Sequence, residues 1–308
     1  MAAIIEVSGL TKSYGSKRGI SDVSFNVEEG EVFGFLGPNG AGKTTTIRLR
    51  MALLHADAGT ARIAGLECWK QSVDIKRLVG YMPGEPALDP NLTGGQILEY
   101  FAHLRGGVDR SYLDQLVQRF DLDTSRKFHQ YSTGNKRKVV LIQAFMHRPR
   151  VLILDEPTSG LDPLNQQEFD RMVKEVRDDG RTVLLSSHVL SEVEKTCSGV
   201  GILRDGRVVH LGNVAELKGL KRSEITIEFA AAVPADAFNS LPGVTDVEEL
   251  DHGHGLRLVI QGSADAVIKT AAQHSVVSLT SNEPSLEDVF LRFYQADDQA
   301  LQGLDHVA

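Results

Sequence analysis

Residues 37–44 read Gly37-Pro38-Asn39-Gly40-Ala41-Gly42-Lys43-Thr44. An apolar run, Glu31-Val-Phe-Gly-Phe-Leu36, leads into this stretch, and a run of helical spacing, Thr44-Thr-Thr-Ile-Arg-Leu-Arg-Met-Ala-Leu-Leu54, leads out of it. Strand, glycine-rich turn and helix in that order predict a phosphate-binding loop. Gly37, Gly40 and Gly42 let the backbone turn tightly and approach a ligand, with its amides aimed at phosphate oxygens. The positive end of the helix dipole adds to the attraction. Lys43 is placed to reach the terminal phosphates, and the Thr44 hydroxyl is a ligand of the type Mg²⁺ takes. The expected nucleotide contacts run from Gly37 through Thr45, with Pro38, Asn39 and Ala41 included.

The bulk properties narrow the classes. At 308 residues the chain is long enough for two domains. Its net charge of -8 argues against a general nucleic-acid binder. The sequence has no apolar run long enough to span a bilayer, and its N-terminus lacks a secretory pattern. Any membrane role is therefore expected to come through a partner. Cys68 and Cys197 stand far apart, outside metal-ligand or redox spacing, and read as reduced thiols of a cytoplasmic protein.

Up to about residue 215, apolar strand-like runs alternate with amphipathic helices. The expected strands are Ile4–Val7, Val23–Val27, Val32–Leu36, Leu78–Met82, Val151–Leu154, Val183–Ser186 and Val200–Leu203. Two of them, Val151-Leu-Ile-Leu154 and Val183-Leu-Leu-Ser186, are suited to burial on both faces of an α/β sheet. Between about 85 and 147 the periodicity is helical, in Gln96–Leu104, Tyr112–Phe120 and Lys138–Met146, and predicts an all-helical insert. Residues 216–296 change pattern. Strand-like Glu224–Phe229, helical Ala235–Leu241, two strands (Val244–Leu250 and Leu256–Gln261) around the turn Asp251-His-Gly-His-Gly255, helical Ala264–Ala272 and strand-like Val276–Leu279 follow in order. That βαββαβ order predicts a small ferredoxin-like module. A last helix is expected around Ser285–Tyr294, where Leu286, Val289, Phe290 and Phe293 have the spacing of an apolar packing face, followed by a polar tail over 297–308.

Val151-Leu-Ile-Leu-Asp155-Glu156 is an apolar strand that ends in two acids. After a phosphate loop, an acid at a strand end is placed to hold Mg²⁺, which suits Asp155. Glu156, one residue on, is placed to orient and deprotonate an attacking water. Two adjacent acids repel one another when buried, and a cation removes the conflict.

With these residues in view, residues 4 to about 215 resemble the ATP-binding subunits of ABC transporters. The phosphate loop and the Asp155-Glu156 strand match the family's Walker A and Walker B motifs. Ser159-Gly-Leu-Asp162 matches its D-loop, Ser186-Ser187-His188 its H-loop, and Tyr14 the aromatic that stacks on adenine. The resemblance implies ATP and Mg²⁺, a γ-phosphate contact from His188, and an ATP contact from Asp162. It implies a P-loop NTPase core of the ABC ATPase type (α/β, with a helical subdomain) and a small α+β domain after it. Two motifs depart from the family. Its signature Leu-Ser-Gly-Gly-Gln stands here as Tyr131-Ser132-Thr133-Gly134-Asn135, with Ser132 and Gly134 as the retained nucleotide contacts. The following Lys136-Arg137-Lys138 reads either as a solvated face or as phosphate contacts. The family's Q-loop Gln falls on Gly84, which leaves three readings: Glu85 stands in for it, Gly84 is a hinge, or Glu85 is simply exposed.

The ending Glu283-Pro-Ser-Leu-Glu-Asp-Val-Phe-Leu-Arg-Phe-Tyr294, and the run Asp162-Pro-Leu-Asn-Gln-Gln, look like the drug-resistance exporter branch. In the family one site is shared by two subunits facing head to tail. The resemblance therefore implies a homodimer, a separate integral membrane permease and a peripheral place on the cytoplasmic membrane face. Two rivals are a soluble ABC ATPase acting on nucleic acid or ribosomes, and a nucleotide-sensing regulatory protein. The acidic charge opposes the first, and Glu156 opposes the second.

Overall fold

The computed structural model describes residues 3–15, 19–215 and 222–282. The chain divides into two compact units, Met1–Val214 and Ala215–Ala308. Strands of the first unit are β1 (Ala3–Ser13), β2 (Gly19–Glu28), β3 (Val32–Leu36), β4 (Ala58–Ile63) and β5 (Leu66–Glu67). They continue as β6 (Val79–Met82), β7 (Val151–Asp155), β8 (Thr182–Ser187), β9 (Gly199–Arg204) and β10 (Arg207–Asn213). Its helices are α1 (Lys43–Arg50), α2 (Ser72–Leu78), α3 (Gly94–Leu104), α4 (Arg110–Arg119), α5 (Thr133–Phe145), α6 (Pro163–Asp178) and α7 (Leu190–Thr196).

A four-stranded antiparallel sheet has the order β2-β1-β4-β5, and a six-stranded sheet the order β10-β9-β3-β8-β7-β6. In the second sheet β9, β3, β8, β7 and β6 run parallel, and β10 is antiparallel to β9. Every residue of β3, β7 and β8 is buried, as central strands covered on both faces must be. Their register matters most for function. Leu36 pairs with Ser187, and Ser186 with Asp155, so three strands end together. Gly37, Glu156 and His188 follow directly at that carboxyl edge, where open parallel sheets bind ligands.

The expected strands are present, with Leu78 instead closing α2. The sequence reading omitted β4, β5 and β10. In β4, Ala-Gly-Thr-Ala-Arg-Ile buries only Ala61 and Ile63, too weak an alternation to stand out. Between β6 and β7 lie α3, α4 and α5, with no named strand among the described residues. Thr93 caps α3 in a box with Gln96, and Asp109 caps α4. Helix α5 is buried from Arg137 to Phe145, which makes it the axis of the insert.

The second unit contains β11 (Arg222–Phe229), α8 (Asp236–Asn239), β12 (Val244–Leu250), β13 (Gly255–Gln261), α9 (Asp265–Ala271) and β14 (Val276–Asn282). Its antiparallel sheet has the order β12-β13-β11-β14, that of a ferredoxin-like module. Ile225, Ile227, Phe229, Leu256, Leu258 and Ile260 point to one face and pack with Phe238 and Val267. The turn between β12 and β13 is a short 3₁₀ segment, Asp251–Gly253. The helix expected around Ser285–Tyr294 and the tail 297–308 lie outside the described residues.

Candidate functional site

The phosphate loop leaves β3 at Gly37. A side chain there would meet the Leu203 carbonyl at 2.5 Å. Gly40 and Gly42 have φ of 84° and 106°, a region that other residues enter only with strain. Helix α1 then starts at Lys43 with Gly42 as its N-cap and no side-chain cap bond, so its first-turn amides are left for a ligand. Pro38, Asn39 and Gly40 are exposed, Thr44 and Thr45 half-buried, and Ala41 buried. Lys43 is only 5 % exposed. Its Nζ donates to the carbonyls of Gly37 (2.5 Å) and Pro38 (3.2 Å) and lies 3.1 Å from Glu156 Oε1.

Asp155 is fully buried. Its Oδ1 accepts from Ser186 Oγ at 2.6 Å, while its Oδ2 has no hydrogen-bond partner among the described residues. A bare, buried carboxylate oxygen is costly, and a bound cation removes the cost. Oxygen donors from Asp155 and Thr44 fit Mg²⁺. No cluster of three or more His, Cys, Asp or Glu that could hold a metal occurs among the described residues. A metal here would therefore take its remaining ligands from phosphate and water.

Glu156 is held at four points. Its amide donates to Ser186 Oγ (3.0 Å) and its carbonyl accepts from Arg137 Nη1 (2.7 Å). Its Oε1 faces Lys43, and its Oε2 accepts from His188 Nδ1 at 2.7 Å. Its φ of 50° lies in the left-handed region, which costs a non-glycine residue about 1 kcal/mol. Such strain persists only where surrounding contacts enforce it.

A glutamate absent from the sequence reading supports this edge. Glu192 on α7 accepts from Thr158 Oγ1 (2.6 Å) and Ser187 Oγ (2.7 Å), joining the segment after β7 to the end of β8. No spacing in the sequence announces a pairing across 34 residues.

The other motif residues lie on neighbouring loops. Asp162 caps α6 by accepting from the Asn165 amide at 3.0 Å, a bond that holds its carboxyl below the usual range. Ser132 caps α5 by accepting from the Asn135 amide at 3.3 Å. Gly134 packs against the D-loop-like stretch, where a Cβ would stand 2.8 Å from the Gly160 carbonyl. Tyr131 is buried and donates to the Asp123 carbonyl at 2.5 Å. Tyr14 is 49 % exposed. Among the described residues, no hydrogen bond or ion pair joins Tyr14, Ser132 or Asp162 to Gly37–Thr45.

The basic run is neither a solvated face nor a set of free phosphate donors. Arg137 and Lys138 are each 8 % exposed. Lys138 donates to the Phe120 carbonyl (2.8 Å), and Arg137 to the carbonyls of Glu156 (2.7 Å) and Gly84 (2.8 Å). Lys136 lies 5.6 Å over the Phe128 ring. Burial forces such cations to find acceptors, and backbone carbonyls supply them. Glu85 is exposed, so the loop after β6 meets the site through the backbone of Gly84.

Comparison with known proteins follows the same division. Residues 20–159 match the family profile described as "ABC transporter", and residues 212–294 the profile described as "ATP-binding protein DrrA1-3-like, C-terminal domain". The chain is similar to the bacitracin transport ATP-binding protein BcrA of Bacillus licheniformis, with 32 % identity over 95 % of this chain and 97 % of that one. It is similar to the daunorubicin resistance ATP-binding protein DrrA3 of Streptomyces coeruleorubidus, with 34 % identity over 97 % of this chain and 98 % of that one. Among solved structures it resembles an ATP-binding subunit of an ABC transporter, with a TM-score of 0.66 and 32 % identity over 70 % of this chain and 92 % of that one.

Proposed function

The chain belongs to the ABC transporter family of ATP-binding proteins, and from that premise we propose that it powers efflux of a drug-like compound through a separate membrane permease. The family's activity is ATP hydrolysis. The observation that carries the site assignment is Glu156, pinned on all sides between Lys43 and His188. In this reading the amides of Gly40 and of Gly42–Thr45 and the Lys43 ammonium hold the phosphates. Thr44 and Asp155 would hold Mg²⁺, which when bound neutralises phosphate charge. Glu156 takes the proton of the attacking water, and His188 fixes the aim of that carboxylate. Tyr14 offers an exposed ring to the adenine.

One copy covers one side of the triphosphate. Ser132, Gly134 and Asp162 of a second identical copy complete the other side, so ATP joins two copies and its hydrolysis lets them part. Among the described residues no helix is long and apolar enough to cross a membrane, which leaves the conduit to the permease. A groove of ≈ 530 Å³ beside β6, lined in part by Tyr81, Pro83, Leu88, Phe101 and Leu104, supports docking of that partner on the cytoplasmic side. The relatives whose names carry bacitracin transport and daunorubicin resistance support the substrate class.

The test is Glu156→Gln. The variant should bind ATP, lose about 1,000-fold in turnover and persist as an ATP-dependent dimer in size-exclusion chromatography. A variant that binds ATP and stays monomeric rules out the shared site, and one that still turns over removes Glu156 as the base.

A further inference from the structure

Loops leaving two adjacent parallel strands, β6 and β7, meet on one guanidinium. Met82 pairs with Leu154, and two residues beyond each lie Gly84 and Glu156. Arg137 Nη2 donates to the Gly84 carbonyl (2.8 Å) and Nη1 to the Glu156 carbonyl (2.7 Å). The partners are 53 and 19 residues away in sequence, so the fork closes two long connections at once.

What the fork holds is specific. With its amide on Ser186 and its carbonyl on Arg137, the strained Glu156 has both adjoining peptides fixed, and the direction of its carboxylate follows from them. At the other prong, the Gly84 position lies close to the second acid, since a Cβ there would stand 3.1 Å from Asp155 Oδ2. Beyond Gly84 the chain continues through Pro86, Ala87 and Leu88, which line the groove beside β6. Gly84 and Arg137 thus link that loop to the Glu156 carbonyl by two hydrogen bonds. Lysine could not serve both carbonyls with the same geometry, because its ammonium is a single point on a flexible stem whereas guanidinium is a rigid fork.

We propose that Arg137 is a positioning residue that ties the loop Pro83–Leu88 to the backbone of Glu156 and so sets the aim of the catalytic base. The assignment rests on Glu156 being that base. It gives the loop a route to the reaction that needs no side chain at residue 84, and it gives the basic run after Ser132 a function other than contact with phosphate.

The experiment uses the full chain as wild type, Arg137→Met, Arg137→Lys and Glu156→Gln, with ATP as the probe. Arg137→Met should keep ATP affinity and KM within about twofold while kcat falls about 100-fold, the scale of a misplaced catalytic group. Hydrogen exchange should accelerate about tenfold in both 83–88 and 156–160, segments that Arg137 joins by its two hydrogen bonds. Arg137→Lys should fall between, with one segment protected and the other released. An unchanged kcat in folded Arg137→Met, or equal losses of kcat and ATP affinity, would overturn the proposal. Should Arg137→Met not fold, Arg137→Lys decides: full activity with both segments protected overturns it. An inactive wild type would instead sink the ATPase reading, and the exchange arm would then judge the Arg137 link on its own.

Discussion

Helices α1 and α5 both begin where a phosphate is expected, and they begin differently. The start of α1 has a left-handed glycine as its N-cap and no side-chain cap, so the chain itself leaves those amides unsatisfied. The start of α5 is closed by Ser132, whose hydroxyl already accepts from the Asn135 amide. Buried cations divide along the same line. Lys43 of α1 touches loop carbonyls and Glu156, at the point where phosphates are to be held. Arg137 and Lys138 of α5 are committed to carbonyls of the fold. The contrast teaches that α1 is built as a binding site and α5 as a brace with one end presented outward.

The largest effect should come from removing the binding cation. Lys43→Ala should weaken ATP binding by about 100-fold or more, since it removes a buried donor and leaves Glu156 without its cation. Titration with a fluorescent ATP analogue measures this, and near-native affinity would break the distinction drawn for α1. The α5 terminus should behave otherwise. Ser132→Ala should cost about 1 kcal/mol of stability through the lost cap, read as a shift in denaturation midpoint. Affinity of the single copy for ATP should stay within about twofold, while the ATP-dependent dimer formed in the Glu156→Gln background weakens about tenfold. A Ser132→Ala variant that loses monomer affinity as Lys43→Ala does would erase the difference between the two helices.

Much of the first unit was legible because phosphate binding makes strong local demands. The three glycines of the loop, the lysine and the strand before them occupy twelve consecutive positions and need no distant partner to be read. Asp155 and Glu156 were legible for the same reason, as acids at the end of an apolar strand. The β-α order of the second unit was readable from alternation on β11 and β13. What escaped depends on distance. A Lys-Arg-Lys triplet is hydrophilic by composition, and only the fold shows that its acceptors are carbonyls 18, 19 and 53 residues away. Glu192 bridges Thr158 and Ser187 in the same hidden manner. The weakly patterned β4 was lost because its register is set by β1, where Ile5 pairs with Ile63.

One cation of α1 sharpens the comparison from the side of stability. Arg50 ends the helix fully buried, and burial pushes its guanidinium down to about 10, so it remains charged at neutral pH. Its Nε donates to the Thr46 carbonyl (3.2 Å), while Nη1 and Nη2 have no hydrogen-bond partner among the described residues. Its guanidinium lies over two aromatic faces, Phe25 at 5.0 Å and Phe35 at 6.0 Å, and the charge of buried Asp155 also favours its charged form. Cation–π attraction of about 1–2 kcal/mol offsets only part of the cost of burying such a charge. Arg50→Leu keeps apolar packing on both rings and removes that cost. The expected result is a gain of about 1–3 kcal/mol, read as a rise of several degrees in the melting temperature without ATP. Arg137→Leu on α5 should lower stability instead, because it takes the guanidinium donor from the Gly84 carbonyl and leaves the Glu156 carbonyl only the 3.3 Å bond from the Ser159 amide. Equal signs for the two substitutions would mean that carbonyl partners are not what separates the buried cations of these helices.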